Sequence, residues 1–249
     1  MWLKWIIIFS LTSSAWGFRL TSDFTNGFYW STLPINITVI EGNSIRKTML
    51  EDLSRAAIDE WQTSSGLSLW DYSGQGTKNI IRWSTDFANE TRMDPEMTLA
   101  VAIRYTKGPY FARTEIVING NHKLNQNEAN LRTTLTHELG HTMGLDHSDV
   151  QQAVMAPTLQ AWYTGLDNDD VQGVQAAHAE MEQRQATGYV SPLSYESEES
   201  QSQPLSCGTI GPVTAASGIS FNGILSLAGG ILISFVRKIL KWFKSRCDF

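Results

Sequence analysis

Residues 137–147 read His-Glu-Leu-Gly-His-Thr-Met-Gly-Leu-Asp-His, and this stretch carries the strongest structural and chemical signal in the chain. In a helix, His137 and His141 lie four residues apart on one face, where two imidazoles can bind one Zn²⁺ ion. Gly144 favours a positive-φ turn that ends the helix and lets the chain return His147 to the same ion. Three protein ligands leave one position open for water, which is typical of a catalytic zinc site.

Glu138 follows the first of these histidines and is predicted to be the general base. Its carboxylate would lie beside the metal without binding it, where it can take a proton from the water. Two alternatives are a solvated helix with ordinary surface histidines and a surface-tethered, non-catalytic adhesion or binding module that keeps zinc for stability. An intact Glu138 favours the catalytic interpretation, because a module without activity does not need this carboxylate.

The stretch and its surroundings resemble the matrixins, the metzincin family of the matrix metalloproteinases and their small bacterial relatives. The resemblance covers most of residues 18–187 and rests on residues 137–147, Ser148, Val154-Met155-Ala156-Pro157 and residues 166–176. It implies a zinc-dependent endopeptidase with one catalytic Zn²⁺. It also implies that Met155 forms a turn beneath the metal and serves as an apolar base rather than as a ligand.

The same resemblance implies an α+β metzincin fold with a twisted mixed five-stranded sheet, an active-site helix and a C-terminal helix. Alternating and apolar stretches agree with this fold. They predict strands over residues 33–40, 79–84, 98–105 and 115–119, and helices over residues 44–66, 127–140 and 167–186. The substrate is expected to add a strand to the edge strand that contains Leu99, Ala100, Val101 and Ala102.

Three features of larger matrixins are not predicted here. Val101 stands where the resemblance would place a structural-zinc histidine, so a second zinc is not expected. Calcium is compatible with the family, but no calcium ligands can be read from this sequence. Only twelve residues separate Gly17 from Trp30 and none of them is cysteine, so a cysteine-switch propeptide does not fit.

The composition is that of a globular protein with a sizeable core. Hydrophobic residues make up 42% and charged residues 18% of the 249 residues. The net charge of −6 offers no basic excess for a nucleic acid. Cys207 and Cys247 are the only cysteines, which excludes a disulfide-framed fold and a Cys-rich zinc module.

Both ends of the chain are predicted to be targeting segments. Residues 1–17 have the basic start, apolar centre and small-residue cleavage site of a signal peptide, which leaves residues 18–187 as the catalytic domain. Residues 188–218 form a polar, low-complexity stretch that is predicted to be a flexible linker. Residues 219–236 carry no charge and are long enough to span a bilayer, and the basic tail 237–249 is expected in the cytoplasm.

The C-terminal segment has two further interpretations. It can be an amphipathic helix that lies on the membrane surface. Together with Cys207-Gly208 and the basic end, it also resembles bacterial sorting tails, in which the apolar span is a processing signal.

These observations predict an exported zinc endopeptidase whose partners are protein or peptide substrates and, through its C-terminal helix, a membrane. It is expected to be a monomer, at the cell surface or in the periplasm, with no nucleic-acid partner. The resemblance also implies that the N-terminal ammonium exposed at Phe18 pairs with one of the matching aspartates, Asp169 or Asp170. The alternative is that these aspartates only favour the N-terminus of their helix.

Overall fold

The computed structural model describes residues 17–40, 47–72, 76–159, 163–194, 200–201 and 205–208. Its strands, in chain order, are β1 (Arg19–Leu20), β2 (Ile35–Asn36), β3 (Thr38–Val39), β4 (Trp70–Asp71), β5 (Ile80–Ser84), β6 (Thr98–Lys107), β7 (Tyr110–Asn119), β8 (Leu145–Asp146), β9 (Ser200–Gln201) and β10 (Leu205–Gly208). Its α-helices are α1 (Ser22–Thr25), α2 (Lys47–Ser65), α3 (Phe87–Thr91), α4 (Glu128–Thr142) and α5 (Asn168–Thr187), and a 3-10 helix (Lys123–Gln126) precedes α4.

The main sheet is mixed and has the strand order β10-β6-β7-β5-β3, with β9 also paired to β6. β3, β5 and β7 run parallel, whereas β6 is antiparallel to β7. This confirms the predicted α+β fold class, although the sheet has six strands instead of five. β9 and β10 both come from residues 188–218, for which the polar composition predicted a flexible linker.

The predicted strand over residues 33–40 is not continuous in the structure. β2 pairs with β4 in a separate two-stranded sheet, whereas β3 pairs with β5 in the main sheet. The predicted alternation still holds, because Ile35, Ile37 and Val39 are buried. The chain therefore changes partner in mid-strand without turning its apolar face away from the core.

The helix that carries the histidines is embedded in the core. Asn127 caps its start by accepting a hydrogen bond from the backbone N–H of Asn130 at 3.1 Å. From Thr134 to Thr142 every side chain of α4 is buried. The helix packs against both α2 and β6, so a shift of either element reaches the histidines directly.

Three buried tryptophans from separate parts of the chain fix the position of α4. Trp61 of α2 donates its indole N–H to the Thr136 carbonyl at 2.7 Å. Trp30 donates to the Thr142 carbonyl at 2.8 Å, and Trp70 donates to the Thr142 hydroxyl at 3.0 Å. Two of these contacts satisfy polar groups of the last turn of the helix, where backbone carbonyls lack helical partners.

The last helix, α5, has strong signals at both ends. Asp167 and Asp170 form a capping box at its start, and Gly188 ends it with a left-handed φ of 62°. The predicted bounds of α4 and α5 agree with the structure to within two residues at each end.

The two predicted membrane-targeting segments cannot be compared with the structure. Most of the predicted signal peptide 1–17, and all of residues 219–236 and 237–249, lie outside the described residues. Within the described residues, no helix is both long enough and apolar enough to span a membrane.

Candidate active site

The three histidines of the predicted metal site converge. His137 and His141 project from α4, and His147 follows β8. Their ring centroids are 4.6 Å (137 to 141), 5.3 Å (137 to 147) and 5.0 Å (141 to 147) apart. One ligand nitrogen from each ring lies within 4.8 Å of the others, a spacing that a single ion can bridge.

Backbone carbonyls fix the orientation and the tautomer of the two helical histidines. The Nδ1 of His137 lies 2.6 Å from the Val154 carbonyl oxygen, and that of His141 lies 2.8 Å from the Leu145 carbonyl oxygen. A carbonyl oxygen only accepts, so each Nδ1 carries the proton and each Nε2 keeps a lone pair. Both Nε2 atoms are buried and make no hydrogen bond to any described residue.

The electrostatics of the site keep these imidazoles neutral. Burial, reinforced by the neighbouring His147, lowers the pKa of His137 to about 3. Burial and the two other histidines hold the pKa of His141 well below its usual range. Neutral imidazoles with buried, unbonded nitrogens are the ligands that zinc requires, so these residues fit a zinc ion with three protein ligands.

The turn between the second and third histidines requires glycine for two reasons. Gly144 has a φ of +92°, which residues with a Cβ rarely adopt. A Cβ on Gly144 would also lie 2.5 Å from the Phe24 ring. The Gly144 carbonyl accepts the backbone N–H of Thr21 at 2.9 Å, so the N-terminal segment holds this turn in place.

Glu138 and Met155 both lie in the core of the site. Glu138 is fully buried in α4, adjacent to His137. Met155 is buried against α4, since a Cβ added to Gly140 would lie 2.4 Å from its sulfur. Met155 therefore packs against α4 at Gly140, which lies between the two helical histidines.

Asp170 links the Met155 segment to α5. Its carboxylate accepts the backbone N–H groups of Val154 at 2.8 Å, Met155 at 3.0 Å and Asp167 at 2.8 Å. Burial raises the pKa of Asp170 to about 6, although these three donors act in the opposite direction. Because the Val154 carbonyl orients His137, Asp170 acts on the metal site through one intervening residue.

Asp169 holds the other side of the site. Its carboxylate accepts the backbone N–H of Phe18 at 2.9 Å and of Gly17 at 3.0 Å. It also accepts the hydroxyl of Ser148 at 2.6 Å, next to the third histidine. The two aspartates therefore have separate tasks, and neither serves only the helix N-terminus.

Sequence reasoning missed a buried ion pair behind the site. Arg104 of β6 is 2% exposed and binds Asp23 through two nitrogens, at 2.9 and 2.7 Å. A third nitrogen of Arg104 donates to the carbonyl of His141. One sequence signal was available, because an arginine inside the apolar strand 98–105 needs a buried partner.

A small cavity of about 10 Å³ lies beside His137. The stretch 155–163 contributes Ala156, Thr158, Leu159 and Tyr163 to its walls. Met155 does not line it. Thr133 of α4 completes the wall nearest the helix.

The predicted substrate edge is occupied by the chain itself. Leu99, Ala100, Val101 and Ala102 are all buried in β6, whose inner side pairs with β7. The other side of β6 pairs antiparallel with β10.

Comparison with known proteins agrees with this geometry. The sequence model of the matrixin family matches residues 30–179. Matrix metalloproteinase-19 of Mus musculus is 38% identical over 91 residues, which are 36% of this chain and 15% of that protein. Karilysin of Tannerella forsythia is 27% identical over 154 residues, which are 58% of this chain and 32% of that protein. The chain thus spans about a third or less of the length of these relatives.

Proposed function

The chain belongs to the matrixin family, and we propose that it is an exported zinc endopeptidase that hydrolyses internal peptide bonds of extended polypeptides. One observation carries this proposal: three imidazole nitrogens lie within 4.8 Å of one another on and after a helix that also carries the buried Glu138. A purely structural site would be closed by a fourth protein ligand. Among the described residues, the cluster has three.

Each side chain of the site has a distinct task in this proposal. When bound, zinc supplies a Lewis acid for the scissile carbonyl and lowers the pKa of a water molecule at the open position. Glu138 would accept a proton from the attacking water and donate it to the leaving nitrogen. His137 and His141 would hold the ion through Nε2, because their Nδ1 protons are engaged by carbonyls.

The cavity beside His137 indicates which side chain the substrate presents. Its walls of Val154, Ala156 and Leu159 are apolar, and its volume is about 10 Å³.

 We therefore expect a substrate with a small apolar residue next to the scissile bond, because each buried CH₂ group contributes about 0.8 kcal/mol of binding. Larger side chains would need Tyr163 to move, and Tyr163 is held by a 2.8 Å hydrogen bond to Glu60.

Export and attachment complete the proposal. Residues 1–17 direct the chain out of the cytoplasm, and residues 219–236 anchor it or are processed, so that the catalytic domain acts at the cell surface or in the periplasm as a monomer. The sequence patterns described above support this part of the proposal.

The test compares the purified chain with its Glu138→Gln variant on casein, with and without a zinc chelator. The wild-type chain is expected to cleave casein and to lose activity on chelation. The variant is expected to keep one zinc per chain by elemental analysis and to lose activity by about 10²–10⁴-fold, the usual contribution of a general base.

Two results would contradict the proposal in different ways. Comparable cleavage by the variant would mean that another group is the base. Stoichiometric zinc without cleavage by either protein would identify a non-catalytic binding module instead.

A further inference from the structure

The segment Leu205–Gly208 occupies a specific position beside the candidate active site. It pairs antiparallel with β6, with Leu205 opposite Ala102, Ser206 opposite Val101 and Cys207 opposite Ala100. The segment also contacts α4, the helix that carries the histidines. It therefore lies along the side of β6 that borders the active-site helix.

An open strand edge can pair with one strand at a time. The N–H and C=O groups on the outer side of β6 are the groups that an extended peptide needs in order to add as a strand. In the structure, β10 takes this side at Thr98–Ala102, and β9 takes it at Tyr105–Thr106. A substrate that adds to the same edge must first displace β10.

We propose that Leu205–Gly208 is a built-in inhibitory strand that competes with substrate for the edge of β6. This inference rests on the proposed function and on the expectation from the sequence that the substrate adds as a strand to the edge of β6. It provides a means of restraint in a chain whose Gly17–Trp30 segment contains no cysteine for a cysteine switch. Cleavage of the polar stretch before β10, or displacement by a tightly binding substrate, releases the edge.

The expected strength of the inhibition follows from the tether. Ten residues, 195–204, separate Ser194 from β10. A short tether gives an effective concentration on the order of 1 mM. If a free peptide of this sequence binds the edge with a dissociation constant of about 0.1 mM, tethering raises the apparent KM for substrate about tenfold.

The experiment uses the full chain and breaks only the strand pairing. Successive N–H groups of a strand point to opposite sides, so replacing two adjacent residues by proline removes one N–H that faces β6. The variant is Ser206→Pro/Cys207→Pro, and its control is Ser206→Ala/Cys207→Ala. The control keeps both N–H groups and removes the hydroxyl and the thiol.

The Ser206→Pro/Cys207→Pro variant (the proline pair) is expected to have a KM for a fluorogenic peptide about tenfold lower than the wild type, with kcat unchanged. The Ser206→Ala/Cys207→Ala control (the alanine pair) is expected to behave like the wild type. Hydrogen exchange at Thr98–Ala102 is expected to accelerate in the proline pair only. A synthetic peptide of residues 203–210 should inhibit the proline pair competitively.

Three outcomes would overturn the inference. Equal KM values in all proteins would mean that β10 does not compete with substrate. A lower KM in the alanine pair as well would assign the restraint to the side chains instead of the backbone pairing. Absence of cleavage by every protein, with the exchange difference present, would refute the proposed protease function itself and so remove the basis of the inference.

Discussion

Removing the carboxylate of Asp23 is expected to destabilise the protein and to weaken its affinity for zinc. Asp23 is the partner of Arg104, which is 2% exposed and also donates to the carbonyl of His141. In Asp23→Ala, the guanidinium would stay buried with its charge uncompensated. The perturbation thus acts on the metal site through the contact of Arg104 with the His141 carbonyl, without changing a ligand.

The expected loss in the free energy of unfolding follows from the contacts that Asp23 and Arg104 make. Breaking a buried ion pair by removing one member typically costs about 3–5 kcal/mol, a large part of the about 5–15 kcal/mol by which a domain is stable. Arg104→Met is expected to cost less than Asp23→Ala. The Asp23 carboxylate would still accept the Thr21 hydroxyl at 2.6 Å and the Phe24 N–H at 2.7 Å.

Urea unfolding of the metal-free proteins measures these differences, and chelator competition measures zinc affinity. Asp23→Asn is the matched control, because it keeps the size of the side chain and removes its charge. We expect zinc to bind about tenfold more weakly to Asp23→Ala, the lower end of the effect of removing groups that support metal ligands. A loss below about 1 kcal/mol in Asp23→Ala, or a larger loss in Arg104→Met, would refute the argument.

Three further predictions concern the metal, pH and the N-terminus. Chelation is expected to lower the melting temperature of the wild-type protein, because zinc binds the folded state in preference to the unfolded chain, and an unchanged melting temperature would count against the site. The folded pKa of His137 is about 3, below its unfolded value of 6.5, so the unfolded state binds more protons between these pH values. The free energy of unfolding of the metal-free protein should therefore fall as the pH is lowered through this window. The fall should be steeper than in His137→Asn by roughly 1.4 kcal/mol per pH unit. Asp170 has the opposite effect in both proteins, so it cancels in this comparison. Protein that begins at Phe18 should have a free energy of unfolding in urea about 1 kcal/mol higher than protein with two extra leading residues, because its N-terminal ammonium strengthens the hydrogen bond to Asp169. The substitution Asp169→Asn should abolish this difference.

Much of the candidate site could be predicted because it depends on residues that are close together in the sequence. The spacing of His137 and His141 follows from helix geometry, and the positive φ at Gly144 follows from the absence of a Cβ. Capping residues likewise gave the bounds of α4 and α5 to within two residues. The resemblance to matrixins then supplied the α+β fold class, which the structure confirms.

The tertiary structure decided the features that depend on pairing between distant residues. Arg104 and Asp23 are 81 positions apart, and no local pattern shows which acid a buried arginine meets. The division of tasks between Asp169 and Asp170 likewise depends on the path of the N-terminal segment. The polar stretch that contains β10 was predicted to be a linker because composition measures the apolar surface that a segment can bury. Strand addition depends instead on backbone N–H and C=O groups, which every residue except proline provides alike, so only the fold could place this segment on the edge of β6.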